Sequence, residues 1–252
     1  MKKKIVKNAG ILLLLSTIGS CSGPGNTKTD DVVAAKPDST VATAPAALTA
    51  VSLFDGKTLN GWHAFNKTGE VKNWTIEDSA MVCLGASKDA EGGDIVSDKE
   101  YENFEMSWQW KVTKGGNSGV MYHVIELPKY KTTYETGPEY QMIDDIGFPQ
   151  KLEDWQKSGA DYAMNLANDK KKLMPVGEWN TSKIIFNKGH VEHWLNGEKV
   201  VEFEAWDDKW NKEKKEGKWK DYPDYGLAKK GHIALQDHGN KVYFKNMMIT
   251  EL

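Results

Sequence analysis

The residues best suited to chemistry lie in the stretch from Gly137 to Asp145, which has the pattern of a β-strand. Strand side chains alternate between two faces, so packing Tyr140 and Met142 into a core places Glu139 and Gln141 together on the opposite face. A carboxylate beside an amide offers a general base and a hydrogen-bond donor to a polar substrate. This strand is therefore the first candidate for a functional surface.

A second polar strand runs from Gly231 to Gly239. Ile233 and Leu235 belong on a core face, which leaves the other face to His232, Ala234, Gln236 and His238. If this strand shares a sheet with the first, its polar side chains converge with Glu139 on one groove. The alternative is that Gln236 and His238 are ordinary solvated residues near a strand end.

A third candidate is His123, at the end of a strand that begins at Asn117. Gly119 in the middle of this strand suggests the close approach of another backbone or of a ligand. His123 shares its face with Met121, so a satisfied core or edge histidine and a catalytic histidine both remain open. His193 lies between apolar neighbours and is interpreted as structural.

The standard motifs of zinc, phosphate and serine-nucleophile sites are absent from the sequence, and no cofactor is indicated. Asp144 and Asp145 leave a calcium site with Glu139 open, although carboxylates spaced along a strand and its end are a weak metal signal. Alternation also separates Glu139 from Asp144, which argues against a paired-carboxylate glycosidase.

Short apolar runs separated by turn residues extend through most of the chain and predict about twelve strands. Residues 104–112 alternate clearly and predict a half-buried antiparallel strand, and Asn196-Gly197 predicts a hairpin turn. The fold class is therefore an antiparallel sandwich or barrel.

Two segments depart from this strand pattern. Residues 149–175, which include Tyr162, predict a long ordered loop that covers a binding face. Residues 206–221 have a helix-forming composition without a sustained apolar stripe, so a solvated excursion is favoured over a partner-binding helix.

The N-terminus has the pattern of a targeting segment. A basic start, an apolar run and the sequence Ile-Gly-Ser-Cys predict a lipoprotein signal peptide over residues 1–20, with Cys21 as the lipidated residue. An ordinary secretory signal is the alternative. Residues 21–50 then form a flexible tether, and residues 51–252 form the folded domain. Cys83 remains as the one other thiol, so no internal disulfide is expected.

Charge and composition narrow the class of partner. The chain has 33 basic and 36 acidic residues, a net charge of -3, and setting aside the four lysines of the targeting segment leaves -7. A mildly acidic domain lacks the electrostatic footprint of a nucleic-acid-binding protein. Ten tryptophans and nine tyrosines suit β-sheets, and aromatic rings exposed in a groove also suit the faces of sugars.

Together, several motifs in order resemble the 3-keto-disaccharide hydrolase family, from about Val51 to Leu252. They are Leu-Phe-Asp-Gly-Lys at 53–57, Leu-Asn-Gly-Trp at 59–62, Asn-Ser-Gly-Val at 117–120, Glu-Tyr-Gln-Met-Ile-Asp at 139–144, Pro-Val-Gly-Glu-Trp-Asn at 175–180, Trp-Leu-Asn-Gly at 194–197 and Gly-His-Ile-Ala-Leu-Gln-Asp-His-Gly at 231–239. Where the family usually has Phe-Arg-Asn, this chain has Lys245 in the middle position, so a bidentate arginine contact is lost.

The resemblance implies a jelly-roll sandwich similar to concanavalin A-like lectins and glucanases. It also implies a chemistry in which the carbonyl of a 3-keto-glycoside acidifies C2, a base removes the C2 proton, and C1 loses its substituent before water adds back. An upstream sugar 3-oxidoreductase would supply the oxidised substrate. The lipid on Cys21 would hold the enzyme at the outer membrane, on its periplasmic or external side.

On this scheme Glu139 or His123 is the base and His238 is the acid. Substrate contacts fall to Gln141, Gln236, Lys245, Tyr162 and Asp144. A non-catalytic carbohydrate-binding module and a purely structural surface lipoprotein are the alternatives, because fold alone does not fix function.

Overall fold

The computed structural model describes residues 48–85 and 92–252. The predicted signal peptide, Cys21 and most of the tether lie outside the described residues. Within the described ranges, no helix has the length and apolar character needed to cross a membrane.

Short alternating segments of the sequence form thirteen strands in the described part of the chain. They are β1 (Val51–Ser52), β2 (Trp62–Ala64), β3 (Trp74–Glu77), β4 (Ala80–Cys83), β5 (Ile95–Tyr101), β6 (Phe104–Val112), β7 (Asn117–Val124), β8 (Glu139–Ile143), β9 (Asn180–Asn187), β10 (His190–Leu195), β11 (Glu198–Glu204), β12 (Gly231–Leu235) and β13 (Val242–Glu251). Helix α1 spans Asp208–Glu216, and 3₁₀ turns span Thr133–Glu135, Asp154–Gln156 and Lys218–Asp221.

The strands form two antiparallel sheets, which confirms the predicted all-β sandwich. The larger sheet has the order β11-β10-β9-β6-β13-β4-β3, with β1 paired to β13, and the smaller has the order β2-β5-β12-β7-β8. The core lies between them and is rich in aromatic side chains. In β6 the predicted alternation is confirmed, because Phe104, Met106, Trp108 and Trp110 are buried while the residues between them are half-buried.

Strand β8 is an edge of the smaller sheet, and its two faces differ as predicted. Tyr140 and Met142 are part of the core, where the Tyr140 hydroxyl lies 2.8 Å from Ser182 Oγ. Glu139 and Gln141 belong to the outer face of the smaller sheet. Both are nevertheless buried, so other segments must cover that face.

The long loop after β8 provides part of this cover. Gly159 donates a backbone hydrogen bond to Gln141, and Gln141 donates one to Ala160. Tyr162 N donates to Glu139 O at 3.0 Å, and Tyr140 forms a bridge with Asp161. The loop therefore pairs with the free edge of β8, which confirms an ordered loop in this region.

Most of residues 206–221 are exposed, in agreement with the predicted solvated excursion, but two buried tryptophans anchor the segment, which was not predicted. Asp207 caps helix α1 by accepting a hydrogen bond from Trp210 N, and a 3₁₀ turn follows the helix. Trp210 and Trp219 are buried against Tyr225, with ring centroids 6.1 and 4.0 Å from the Tyr225 ring. Two tryptophans nine positions apart anchor the segment without forming the apolar stripe that identifies an amphipathic helix.

Candidate functional site

Strand register brings the two predicted polar strands to the same face. Strand β7 lies between β12 and β8, with Met121 paired to both Ala234 and Glu139. Two residues away on β7, Gly119 pairs with Gln141 and its carbonyl accepts a hydrogen bond from Gln236 N. Glu139, Gln141 and Gln236 therefore surround Gly119 on the outer face of the smaller sheet.

Gly119 has a specific steric role in this arrangement. A Cβ atom added there would lie 2.2 Å from Oε1 of Glu139 and 2.7 Å from its Cγ. The close neighbour expected from a mid-strand glycine is therefore the side chain of Glu139, which lies across the space left by the missing side chain. Gly119 lets this carboxyl group lie flat against the sheet.

Glu139 is only 4% exposed, and burial raises the pKa of its carboxyl group to about 8. The positive charge of Lys218 opposes this rise, whereas the charges of Asp94 and Asp161 add to it. Desolvation disfavours the charged form of a carboxyl group. Glu139 is therefore mostly protonated at neutral pH and titrates in the range expected of a tuned general base.

Two further carboxyl groups, the half-buried Asp94 and the fully buried Asp161, were missed by the sequence analysis. Asp94 Oδ1 accepts a hydrogen bond from Asp237 N at 2.9 Å, and its Oδ2 contacts the Thr133 hydroxyl. Burial raises the pKa of Asp94 to about 6 and that of Asp161 to about 7. Asp94 directly precedes β5, which was a usable signal, whereas Asp161 lies in a loop without any periodic pattern.

Several polar atoms near Glu139 have no hydrogen-bonding partner among the described residues. They are Oε1 of Gln236, Oδ1 of Asp161 and the hydroxyl group of Tyr225, whose pKa is raised by burial and by the charges of Asp161 and Glu139. Gln141 Oε1 accepts a hydrogen bond from Met142 N at 3.0 Å. Buried polar atoms are normally paired, so this concentration of unpaired groups is typical of a ligand-binding or catalytic site.

Aromatic rings line one side of this polar region. Trp210, Tyr225 and Trp219 form a continuous stack, and Tyr162 lies at its end, 6.3 Å from the Trp219 ring. Tyr162 also contacts Trp155 at 5.3 Å between ring centroids. The structure thus places the backbone of the predicted Tyr162 beside that of Glu139. Trp210, Trp219 and Tyr225 are buried, so the half-buried rings of Tyr162 and Trp155 are the ones open to a sugar.

His123 lies in the core and away from the Glu139 carboxyl group. His123 has a φ of 54° and lies in a β-bulge, where the pairing of β7 with β12 shifts register. The bulge interrupts the alternation of faces, and Tyr122 and His123 are both buried among core side chains. The His123 ring lies 4.4 Å from the Phe186 ring, and Nε2 is hydrogen-bonded to the Glu102 carbonyl at 2.9 Å. Burial lowers the pKa of His123 to about 4. Of the two alternatives for His123, its position therefore supports a satisfied core histidine over a catalytic one.

The structure also separates His238 and Lys245 from Glu139. His238 is exposed in the loop after β12, and no hydrogen bond within the described residues joins it to Glu139. Lys245 is on β13 of the larger sheet, where its Nζ lies 3.9 Å from the centre of the Trp179 ring. The sheet that contains Lys245 could not be deduced from local sequence, and it is not the sheet that contains Glu139.

Asp144 belongs to a turn and is turned away from the face of Glu139. Its carboxylate accepts hydrogen bonds from the backbone of Gly115, Ile146 and Gly147 at 2.8, 3.2 and 2.7 Å. Burial acts to raise its pKa, but these donors outweigh burial and the pKa is lowered. Asp145 pairs with Lys171. The structure therefore uses both aspartates in local contacts and does not bring them to Glu139 as metal ligands.

A different group could hold a metal ion on geometric grounds. In the described part of the chain, ligand atoms of His190, Glu192 and Glu202 all lie within 4.8 Å of one another. They are at the edge of the larger sheet, and Glu192 is already engaged by Trp194 and Lys199. These residues have no connection with the Glu139 site.

Comparisons with known proteins are consistent across the folded domain. Residues 49–250 match the family described as 3-keto-alpha-glucoside-1,2-lyase-like domain. The chain is 33% identical over 226 residues to a 3-keto-disaccharide hydrolase of Bacteroides thetaiotaomicron, which covers 80% of this chain and 78% of that protein.

Two solved structures from Parabacteroides distasonis, both provisionally assigned as glycosyl hydrolases, are also similar to this chain. The first is 47% identical with a TM-score of 0.75, covering 81% of this chain and 94% of that one. The second is 27% identical with a TM-score of 0.61, covering 81% of this chain and 100% of that one. The family match spans every residue of the site described above.

Proposed function

The chain belongs to the 3-keto-alpha-glucoside-1,2-lyase-like family, and from this premise we propose that it cleaves 3-keto-glycosides by C2 proton abstraction and elimination at C1. The observation that carries the proposal is the Glu139 carboxyl group, buried against Gly119 with a pKa of about 8. Such a group is suited to proton abstraction from carbon.

The proposed reaction begins when the Glu139 carboxylate takes the proton from C2. The C–H electron pair forms the C2–C3 double bond, and negative charge collects on the C3 oxygen. When the carbonyl reforms, the C2–C3 π electrons become a C1–C2 double bond, and the C1–O bond breaks with its electron pair leaving on the aglycone oxygen, which takes up a proton. Water then adds across the C1–C2 double bond, with its oxygen at C1 and a proton at C2, so the net result is hydrolysis without the oxocarbenium-like state of ordinary glycosidases.

The amides of Gln141 and Gln236 are suited to hold the substrate during these steps, because both border Glu139. Gln236 Oε1 is unpaired and can accept a hydrogen bond from a sugar hydroxyl, while the amide nitrogens of both residues can donate one. Among the residues that the structure describes, no hydrogen bond or ion pair of the exposed His238 supports a role as acid. Glu139 is the better candidate to return its newly acquired proton to the departing oxygen.

The raised pKa of Glu139 predicts how turnover depends on pH. Only the ionised form can act as base, so kcat/KM should rise with pH and level off above about 8. A pH profile measured on a 3-keto-glycoside tests this expectation. A rise in kcat/KM that is complete near the ordinary pKa of glutamate would contradict it.

The decisive experiment compares a 3-keto-glucoside with its unoxidised parent. We expect cleavage of the keto compound alone, and equal cleavage of both would refute elimination. Glu139→Gln should abolish turnover while the protein remains folded. Glu105→Gln is a matched control, because Glu105 is on a strand of the other sheet and half-exposed. Binding of sugars without any turnover would favour the carbohydrate-binding alternative.

We also propose that the protein is anchored to the cell envelope through a lipid on Cys21. The support is the basic, apolar and small-residue pattern that ends at this cysteine. Labelled palmitate should be incorporated into the full chain and not into a Cys21→Ser variant. Equal labelling of both chains would refute the anchor.

A further inference from the structure

The edge hairpin of the larger sheet, formed by β10 and β11, carries a group of metal-binding side chains on one face. His190 and Glu192 lie two residues apart on β10, so their side chains point the same way. Glu202, on β11, pairs directly with Glu192 in the antiparallel register, and Glu204 pairs with His190. Alternation and register therefore bring an imidazole and three carboxyl groups together at this edge.

The spacing of three of these groups matches the coordination shell of a zinc ion. His190 Nε2 lies 3.5 Å from Glu192 Oε1 and 3.5 Å from Glu202 Oε1, and the ligand atoms of the three residues all lie within 4.8 Å of one another. Zinc binds nitrogen and carboxylate oxygen at about 2.0–2.2 Å in tetrahedral geometry, which separates neighbouring ligand atoms by about 3.3–3.6 Å. Two of the three separations therefore already have the value that a bound zinc ion requires.

Hydrogen bonds from outside this triangle orient two of the ligands. His190 Nδ1 lies 2.6 Å from Glu204 Oε1. Because a carboxylate only accepts, Nδ1 carries the proton, and a neutral imidazole then presents the Nε2 lone pair to the triangle. Trp194 Nε1 donates to Glu192 Oε2 at 2.6 Å, which leaves Oε1 for the other two ligands. A histidine that donates from its other ring nitrogen to a carboxylate is the usual arrangement in zinc sites.

A cation already lies at the two ligand carboxylates. Lys199 Nζ is 2.7 Å from Glu202 Oε1 and 3.1 Å from Glu192 Oε1. Carboxylates directly opposite on paired strands repel each other, so a cation beside them is stabilising. With His190 neutral, the single charge of Lys199 leaves the three carboxylates with a net negative charge, which a divalent ion in its place would neutralise.

We propose that His190, Glu192 and Glu202 form a zinc site on the edge hairpin, in which the ion displaces the ammonium group of Lys199. Imidazole suits zinc, whereas calcium and magnesium prefer oxygen ligands. Side-chain exposures of 39% for His190 and 49% for Glu202 let the ion enter from solvent. Three protein ligands leave the fourth position of the tetrahedron to water. The site is separate from Glu139, and the inference does not depend on the proposed function.

Isothermal titration calorimetry of the metal-free full chain with zinc chloride tests the site. We expect binding by the wild type. Glu202→Gln keeps the side-chain shape but removes a charged ligand. It should weaken binding by about 100-fold or more, since loss of a ligand costs at least as much as loss of a residue that orients one. Glu198→Gln is the matched control, because Glu198 is half-buried on the same strand and outside the ligand group. It should bind zinc as the wild type does.

Two further variants probe the surroundings of the ion. Glu204→Ala should weaken zinc binding by about 10- to 100-fold, because the His190 imidazole loses the partner that fixes its orientation. Lys199→Met should bind zinc more tightly than the wild type, because the competing ammonium group is gone. Circular dichroism without metal checks that each variant is folded.

Calcium chloride is the second probe, and it should bind much more weakly than zinc, because imidazole is a poor ligand for calcium. Equal affinity for the two ions would overturn the zinc site and reduce the group to an acidic surface. Absence of zinc binding by the wild type at millimolar concentration would also overturn it. Equal zinc affinity of the wild type and Glu202→Gln would place the ion elsewhere on the chain. Weaker binding by Lys199→Met would refute the displacement of the lysine.

Discussion

Replacing Glu139 with glutamine should stabilise the folded protein, and the gain should grow with pH. The folded-state pKa of Glu139 is about 8, against 4.5 for an ordinary glutamate side chain. Between these values the folded protein retains a proton that the unfolded chain releases. The free energy of unfolding of the wild type is therefore highest below about pH 4.5, and it decreases as the pH rises from there through 8. Glutamine does not titrate and avoids this loss.

The size of the effect follows from the two pKa values. Each unit of difference corresponds to about 1.4 kcal/mol, so the penalty of burying Glu139 is about 3 kcal/mol at pH 7 and about 5 kcal/mol well above pH 8. A gain of this size is large beside the usual stability of about 5–15 kcal/mol for a folded domain. Glu139→Gln should thus lose turnover and gain stability together.

The assay is urea unfolding followed by tryptophan fluorescence at pH 5, 7 and 8.5. The free-energy difference between Glu139→Gln and the wild type should be small at pH 5 and largest at pH 8.5. The half-exposed Glu105→Gln control should lack this dependence. A variant that is less stable than the wild type at pH 8.5 would refute the reasoning, because Glu139 would then be ionised and stabilised in the fold.

Three other substitutions test the geometry of the site. Gly119→Ala should lower kcat about 10²-fold, because the new Cβ displaces the Glu139 carboxyl group, and an unchanged kcat would contradict this position. His123→Phe should lower the free energy of unfolding in urea by about 1–3 kcal/mol, because it leaves the Glu102 carbonyl without its partner, yet kcat should stay within a few-fold of the wild type. Loss of turnover in a folded His123→Phe variant would instead support His123 as the base. Asp144→Ala should lower the free energy of unfolding by about 2–4 kcal/mol through loss of three backbone contacts, and a specific rise in KM would instead indicate substrate contact.

The sequence determined those features that depend on the local alternation of strands. Tyr140 and Met142 in the core, Glu139 and Gln141 on the other face, and a close neighbour over Gly119 all follow from a period of two and from the absence of one side chain. A period of two is independent of which strands pair, so these predictions did not require the topology.

Only the tertiary structure decided which distant residues meet. The charges of Asp94, Asp161 and Lys218 act on Glu139 because of the sheet order, the loop paired with β8 and the turn after α1, and none of these follows from local pattern. The bulge at His123 reverses the face expected from alternation, because one residue of β12 opposes two of β7. Whether Lys245 lies near Glu139 depended on which of the two sheets contains β13. Long-range pairing fixes register and sheet assignment, and therefore the charges around the carboxyl group, whereas the sequence could identify the carboxyl group itself.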